Sequence, residues 1–259
     1  MDLGLKGRKA ILCASSRGLG RACATSLAQE GVNVVINGLN RDRLETAAAE
    51  IRAKTGVTVT PVVADINTEA GRATLVAACP DADILVNNNE GPPPGKLADW
   101  SHDDWIKALE ANMLAAVFMI KALIPGMRER KFGRIVNITS AMVKSPNPAM
   151  GLSTAARAGL TALCKSLSRD VAIDNVTINN ILPERIDTDR QKFMAERMMK
   201  LEKITYEEAR AKIVDTIAAK RFGRPDEFGD ACAYLCSAQA GFISGQNLQL
   251  DGGSYRGLV

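Results

Sequence analysis

The segment Ser15-Ser16-Arg17-Gly18-Leu19-Gly20 holds the first residues whose types and spacing could do chemistry. Glycines let a backbone approach a pyrophosphate closely, and the first N–H groups of a helix favour its charge. The loop follows an apolar run and opens a helical pattern, which is the context a dinucleotide site requires. Glycines also serve ordinary strand-to-helix turns, so the loop by itself fits either role. Other chemistries have little to work with. His102 is the only histidine, so a Ser–His–Asp triad or a histidine metal site would have to use it. Its setting, Ser101-His102-Asp103-Asp104, reads instead as a helix start with Ser101 as the cap. The six cysteines, at 13, 23, 79, 164, 232 and 236, contain no CxxC pair. Cys232 and Cys236 share one helix face, where packing is the expected role.

The loop must be positioned by a larger frame, and the chain supplies one. Short runs, most of them β-branched, read as strands at Lys9–Cys13, Val32–Ile36, Val57–Val63, Ile84–Val86, Arg134–Ile138, Val176–Ile181 and Asn247–Leu250. Helical patterns run between them at Leu19–Gln29, Arg41–Lys54, Asp103–Arg130 and Ser153–Ile173. Strands apolar on both faces and separated by helices predict a parallel sheet covered on both sides. The expectation is a single α/β domain over residues 1–259, a doubly wound Rossmann fold with a seven-stranded parallel sheet. Between Glu184 and Glu227, 21 of 44 residues are charged. That stretch is too polar for the core and is expected to be an exposed insert, either a lid over a cleft or a plain solvated helix pair.

Composition narrows the function further. The 259 residues are 46% hydrophobic and 24% charged, which excludes a disordered or fibrous chain. Lys plus Arg exceeds Asp plus Glu by 33 − 29 = 4, too little to argue for nucleic acid. The apolar run Leu114 to Ile120 is far shorter than a membrane span needs. Charges at the start of the chain do not suit a signal peptide. A cytoplasmic protein with no membrane and no nucleic-acid partner is expected.

Taken together, these features resemble the short-chain dehydrogenase/reductase family. The likeness runs from Lys6 to Leu258. It is carried by the glycine loop, Ala64-Asp65-Ile66 after the third strand, Asn87-Asn88 after the fourth, Asn112 in the long helix and Asn137-Ile-Thr-Ser140 after the fifth. Gly223-Arg-Pro-Asp-Glu227, Gly245-Gln246 and Asp251-Gly-Gly253 extend it. The resemblance implies cofactor contacts from Ser15, Ser16, Arg17, Gly18, Leu19, Gly20, Asp65, Ile66, Asn87 and Pro183. It implies catalytic-site positions at Asn112, Ser140, Ser153 and Arg157.

The departures from the family pattern bear most on function. Leu12-Cys13 stand where the family has Thr-Gly, which puts the Cys13 side chain near the diphosphate. Asn89-Glu90 replace Ala-Gly, and Glu184 replaces the glycine after Pro183. Glu90 and Glu184 thus become candidate acid/base groups, unless both turn to solvent. The family places Tyr thirteen residues after its Ser and Lys four after that. Counting from Ser140 gives Ser153 and Arg157. A serine hydroxyl is a much weaker acid than a phenol, and arginine does not readily relay a proton, although it holds anions well.

No acid ends the second strand, Ile36-Asn-Gly-Leu-Asn40, where members using NAD(H) carry one on the ribose diol. Arg17 could pair with a 2′-phosphate, or serve only as a surface charge. NADP(H) is therefore expected over NAD(H). The expected function is an NADP(H)-dependent oxidoreductase on a small carbonyl or hydroxyl compound, with Ser/Arg in place of Tyr/Lys. The alternatives are a non-redox enzyme, for elimination or isomerisation, and a catalytically silent binding or scaffold subunit. The family likeness also implies a homo-oligomer, a tetramer or a dimer.

Overall fold

A computed structural model describes residues 1–258. Seven strands lie side by side: β1 (Lys9–Leu12), β2 (Asn33–Gly38), β3 (Val59–Val63), β4 (Ile84–Asn87), β5 (Gly133–Ile138), β6 (Val176–Pro183) and β7 (Asn247–Leu250). They form one sheet in the order β3-β2-β1-β4-β5-β6-β7. Every pairing is parallel. The order reverses between β1 and β4, so the loops leaving these strands part and open a crevice at their carboxyl ends.

Both faces of the sheet are covered, which explains the unbroken apolar strands. On one face pack α1 (Gly18–Gln29), α2 (Arg41–Thr55) and α9 (Pro225–Cys236), through Leu27, Leu44, Ile51 and Phe228. The other face carries α3 (Glu69–Ala77), α5 (Ala115–Glu129) and α6 (Gly151–Val171), through Leu75, Met119, Leu123 and Leu160. Adjacent residues serve opposite faces: Leu12 belongs to the first core and Ile11 to the second.

Several elements differ from the sequence expectation. Helix α3 was not apparent, because its nine residues are too few to show a period and include Gly71. Thr68 starts it by accepting from the Gly71 N–H at 3.0 Å. Strand β3 begins at Val59 rather than Val57, because Gly56 ends α2 with φ +73 and the chain needs two residues to turn back. The long helix is three pieces: α4 (His102–Leu109), a π-helical turn at Glu110–Leu114, and α5. Ser101 caps α4 in a reciprocal box with Asp104.

The stretch His102–Glu129 is long and apolar enough to cross a membrane by length and composition. Within it Ala115, Met119, Ile120, Leu123 and Met127 are buried in the core over the sheet. The charged insert contains α7 (Asp189–Glu202) and α8 (Tyr206–Asp215). It is less uniformly polar in effect than its composition suggests. Ala195, Ala209 and Ile213 form a small apolar centre, flanked by Met198, Met199, Tyr206 and Phe222.

Candidate active site

The loop after β1 is held from below by buried hydrogen bonds. Ser15 is fully buried, and its hydroxyl donates to the Leu12 carbonyl at 2.8 Å and accepts from the Asn37 N–H at 2.9 Å. Ser15 therefore shapes the turn, and its side chain is occupied within it. The Asn37 carboxamide accepts from the Ala14 N–H at 3.1 Å and donates to the Val62 and Ala64 carbonyls. Ser16 lies against Gly38, where a Cβ would come within 3.0 Å of its hydroxyl. Leu19 packs onto the first core.

The structure corrects the register of the departure in this loop. The residue in the left-handed region is Ala14, with φ +44, so Cys13-Ala14 occupy the Thr-Gly positions. Cys13 faces the second core rather than a diphosphate, and burial pushes its thiol up to about 12. The two retained glycines are demanded by geometry. Gly18 has φ +57, and a Cβ on Gly20 would stand 2.5 Å from the Ala14 carbonyl oxygen. That carbonyl also accepts from the Asn88 carboxamide at 3.0 Å, which ties the loops after β1 and β4 together.

Arg17 ends the loop at the mouth of the crevice. It faces Glu90 at 3.7 Å and Asp189 of α7 at 3.6 Å. Glu90 thus turns outward, with 79% of its side chain exposed. Glu184 behaves differently: its side chain is only 22% exposed, 3.9 Å from Arg185. Burial raises its carboxyl above the usual range, Arg185 opposes the shift and Asp251 adds to it. Pro183, just before it, ends β6 opposite Leu250. Asp65 accepts from the Asn67 N–H at 3.0 Å, and Ile66 is buried beneath the crevice.

A row of carboxamides crosses the sheet. Asn87 donates to Asn137 at 2.9 Å, Asn137 to Asn180 at 3.0 Å, and Asn180 to Asn247 at 2.8 Å. The four are register partners on β4, β5, β6 and β7. At the crevice end Asn87, Asn88, Asn89, Asn112, Ile66 and Arg157 help line a cavity of about 20 Å³, enough for a water molecule.

The π-helical turn shapes this cavity. Such a turn interrupts the regular helix ladder, and the Ala111 carbonyl accepts from Asn89 at 3.0 Å. Asn112 donates to the Glu90 carbonyl at 3.3 Å, while its own side-chain oxygen is buried without a partner among the described residues. Ser140 accepts from the Met142 N–H at 3.2 Å at the end of β5. Ser153 and Arg157 lie one turn apart on α6, and the guanidinium donates to the Ser153 hydroxyl. Among the described residues no hydrogen bond joins Ser140 to Ser153. Arg157 is pushed down to about 10 by burial, then by the nearby Arg190 charge, and stays protonated at neutral pH.

Sequence reasoning missed the far wall. Thr188 starts α7 beside Gly18, with its side chain free of any capping bond, and Arg190 and Arg197 follow on the same helix. Their signal was only the charge density of the insert, which does not distinguish cleft residues from solvated ones.

Comparison with known proteins agrees with this fold. A family model described as enoyl-(acyl carrier protein) reductase matches residues 13–255. The NADPH-dependent reductase BacG of Bacillus subtilis is 30% identical, covering 97% of this chain and 99% of its own. Dehydrogenase/reductase SDR family member 4 of Oryctolagus cuniculus is 31% identical, covering 96% and 94% respectively. Among solved structures, L-sorbose reductase from Gluconobacter frateurii, complexed with NADPH and L-sorbose, superposes with a TM-score of 0.94 at 30% identity over the whole of both chains. With its strand order, glycine loop and full-length relatives, the chain belongs to the short-chain dehydrogenase/reductase family.

Proposed function

We propose that the chain is an NADP(H)-dependent oxidoreductase acting on a small carbonyl or hydroxyl compound. The observation that carries this reading is the cradle at the β1/β4 switch. Gly18 and Gly20 keep the backbone open at the start of α1, and Arg17 stands at its edge while β2 ends without an acid. A dinucleotide fits these residues: Gly18, Leu19 and Gly20 would receive the pyrophosphate, Arg17 a 2′-phosphate, and Asp65 and Ile66 the adenine side. When bound, the cofactor supplies or accepts the hydride. The relatives that use NADPH support the same choice.

The chain's own groups orient and polarise. Ser140 and Ser153 offer hydroxyls to a carbonyl oxygen, Arg157 holds Ser153 in place, and Asn112 lines the water-sized cavity behind them. With no tyrosine at position 153, the proton comes from Ser153, from a water in that cavity or from the substrate itself. Titration of the purified protein with NADPH and with NADH, followed by cofactor fluorescence, tests the reading. NADPH is expected to bind tighter; failure of both to bind would reject it.

A second reading rests on Glu184. Its raised, half-buried carboxyl has the character of a general acid for a non-redox elimination or isomerisation. Such activity without cofactor uptake would favour it. We also propose a homo-oligomer, dimer or tetramer, through the face where Phe118 of α5 and Leu163 of α6 are exposed.

A further inference from the structure

Arg134 shows how this chain accommodates a buried guanidinium that serves the fold. It donates to the Ser237 carbonyl at 3.1 Å, to Gly133 and Asn175 carbonyls at 2.9 and 2.8 Å, and to the Asn175 side chain at 3.3 Å. The Phe132 ring covers it at 4.3 Å. Arg157 is treated differently. A guanidinium has five N–H donors, yet among the described residues the Arg157 guanidinium donates only to the Ser153 hydroxyl. No carboxylate pairs with it among the described residues.

Two more guanidiniums approach from the insert. Arg190 and Arg197 lie two turns apart on one side of α7. Among the described residues each donates to one main-chain carbonyl, at long range: Arg190 reaches Pro92 at 3.4 Å and Arg197 reaches Pro94 at 3.5 Å. Arg190 also stacks 5.6 Å from the Phe193 ring. Neither forms an ion pair among the described residues, whereas Arg210 on α8 engages Asp187 with both nitrogens. The segment between these groups is Gly91-Pro-Pro-Pro94. Its prolines have no N–H to offer an anion. At Gly91 a Cβ would stand 3.1 Å from the Arg157 guanidinium, so this glycine lets the chain lie against that charge.

Three cations converge on one wall with donors to spare. Glu90 faces Arg17 and its charge also reaches Arg190, but without an ion pair among the described residues, and burial still lowers the pKa of Arg190. Mutual repulsion and burial make this arrangement costly unless a ligand neutralises it. We infer that the substrate carries an anionic group, a carboxylate or a phosphate, gripped by Arg157 and Arg190 with Arg197 behind them. The inference rests on reading this crevice as the active site. It narrows the substrate class to keto or hydroxy acids and phosphate esters. Because a guanidinium binds either oxyanion bidentately, the shared chemistry is a flat two-oxygen face.

The test uses the full chain and three probes of similar size: D-fructose, 2-keto-D-gluconate and D-fructose 6-phosphate. Binding is measured by calorimetry with and without NADPH. The two anions are expected to bind about tenfold or more tighter than fructose. That margin should shrink with added salt, and the stronger of the two anions identifies the group. In Arg190→Gln and Arg197→Gln the margin should fall severalfold, while Arg190→Lys retains part of it. Equal binding of all three probes, binding of neither anion, or a margin unchanged in the Arg190→Gln/Arg197→Gln double variant would overturn the inference. So would loss of NADPH affinity in these variants with fructose and the anions unaffected, since the arginines would then belong to the cofactor. NADPH uptake is read separately by fluorescence. Anion preference without NADPH uptake would keep this site and defeat the redox reading; uptake without preference would do the reverse.

Discussion

Ser153 is 2% exposed and bonded to a cation that cannot easily yield a proton, so the acid of the family pattern is missing at the position where it is needed. Ser153→Tyr with Arg157→Lys restores an acid and the cation that lowers its pKa. Carbonyl reduction should rise, with proton transfer contributing about 10²–10⁴-fold, followed as NADPH consumption over a carbonyl panel. Adding Glu184→Gly or Glu90→Gly tests whether a carboxylate obstructs the site. A parent that already reduces carbonyls well, at a rate untouched by Ser153→Ala, would show that another group supplies the proton. At the crevice mouth, Arg17→Ala should erase most of the NADPH preference over NADH, about tenfold for a charge-assisted pair; equal affinities in the parent would refute that role. Glu184 has a stability consequence with a definite sign. Its folded pKa lies above the ordinary 4.5, so ionisation costs stability. The stabilising contribution is full below about 4.5 and is lost as pH rises through the raised value. Glu184→Gln should therefore melt higher than the parent at pH 8, with the advantage gone at pH 4. Positions 140, 153 and 157 were reached by counting along the family pattern, and the structure places 153 and 157 one turn apart on α6 without bonding either to 140 among the described residues. The left-handed Ala14 was not, because alanine gives no sign of a strained backbone, and the unpaired state of Arg190 and Arg197 is a property of neighbours that only folding assembles.

At the scale of elements, the sheet was legible because its inner strands are apolar on both faces, and all seven strands overlap the short runs read from the sequence, although β7, Asn-Leu-Gln-Leu, holds no β-branched residue. Their ends were harder to see. An asparagine reads as a strand terminator, which cut β2 short of Asn37 and β4 short of Asn87 in the sequence expectation. In the fold these carboxamides are buried and paired. Asn137→Ala would leave the Asn87 donor and the Asn180 acceptor without partners. Two unsatisfied buried groups cost about 2–5 kcal/mol together, visible as a lower denaturant midpoint with an unchanged slope. A loss under 0.5 kcal/mol, roughly the scale of a neutral surface change, would mean that water replaces the missing amide. The π-helical turn was likewise invisible, since its residues keep an ordinary helical composition while the backbone departs from the period.

At the scale of the whole molecule, helices over the second core leave apolar side chains uncovered. Phe118 and Leu163 remain 40% and 39% exposed on α5 and α6, helices whose other sides are buried. Sedimentation at micromolar concentration should show a dimer or tetramer, and Phe118→Glu should shift it toward monomer. A monomeric parent would reject the proposed assembly. One feature within the subunit reaches almost as far as such an interface. In the carboxamide row from β4 to β7, each of the two inner side chains accepts with its oxygen from one neighbour and donates with its nitrogen to the next. No inner member can flip alone without setting two like atoms face to face, so the orientation of the row is settled collectively. Three shared bonds thus link Asn247, on the outermost strand, to Asn87, in the wall of the small cavity beside Arg157.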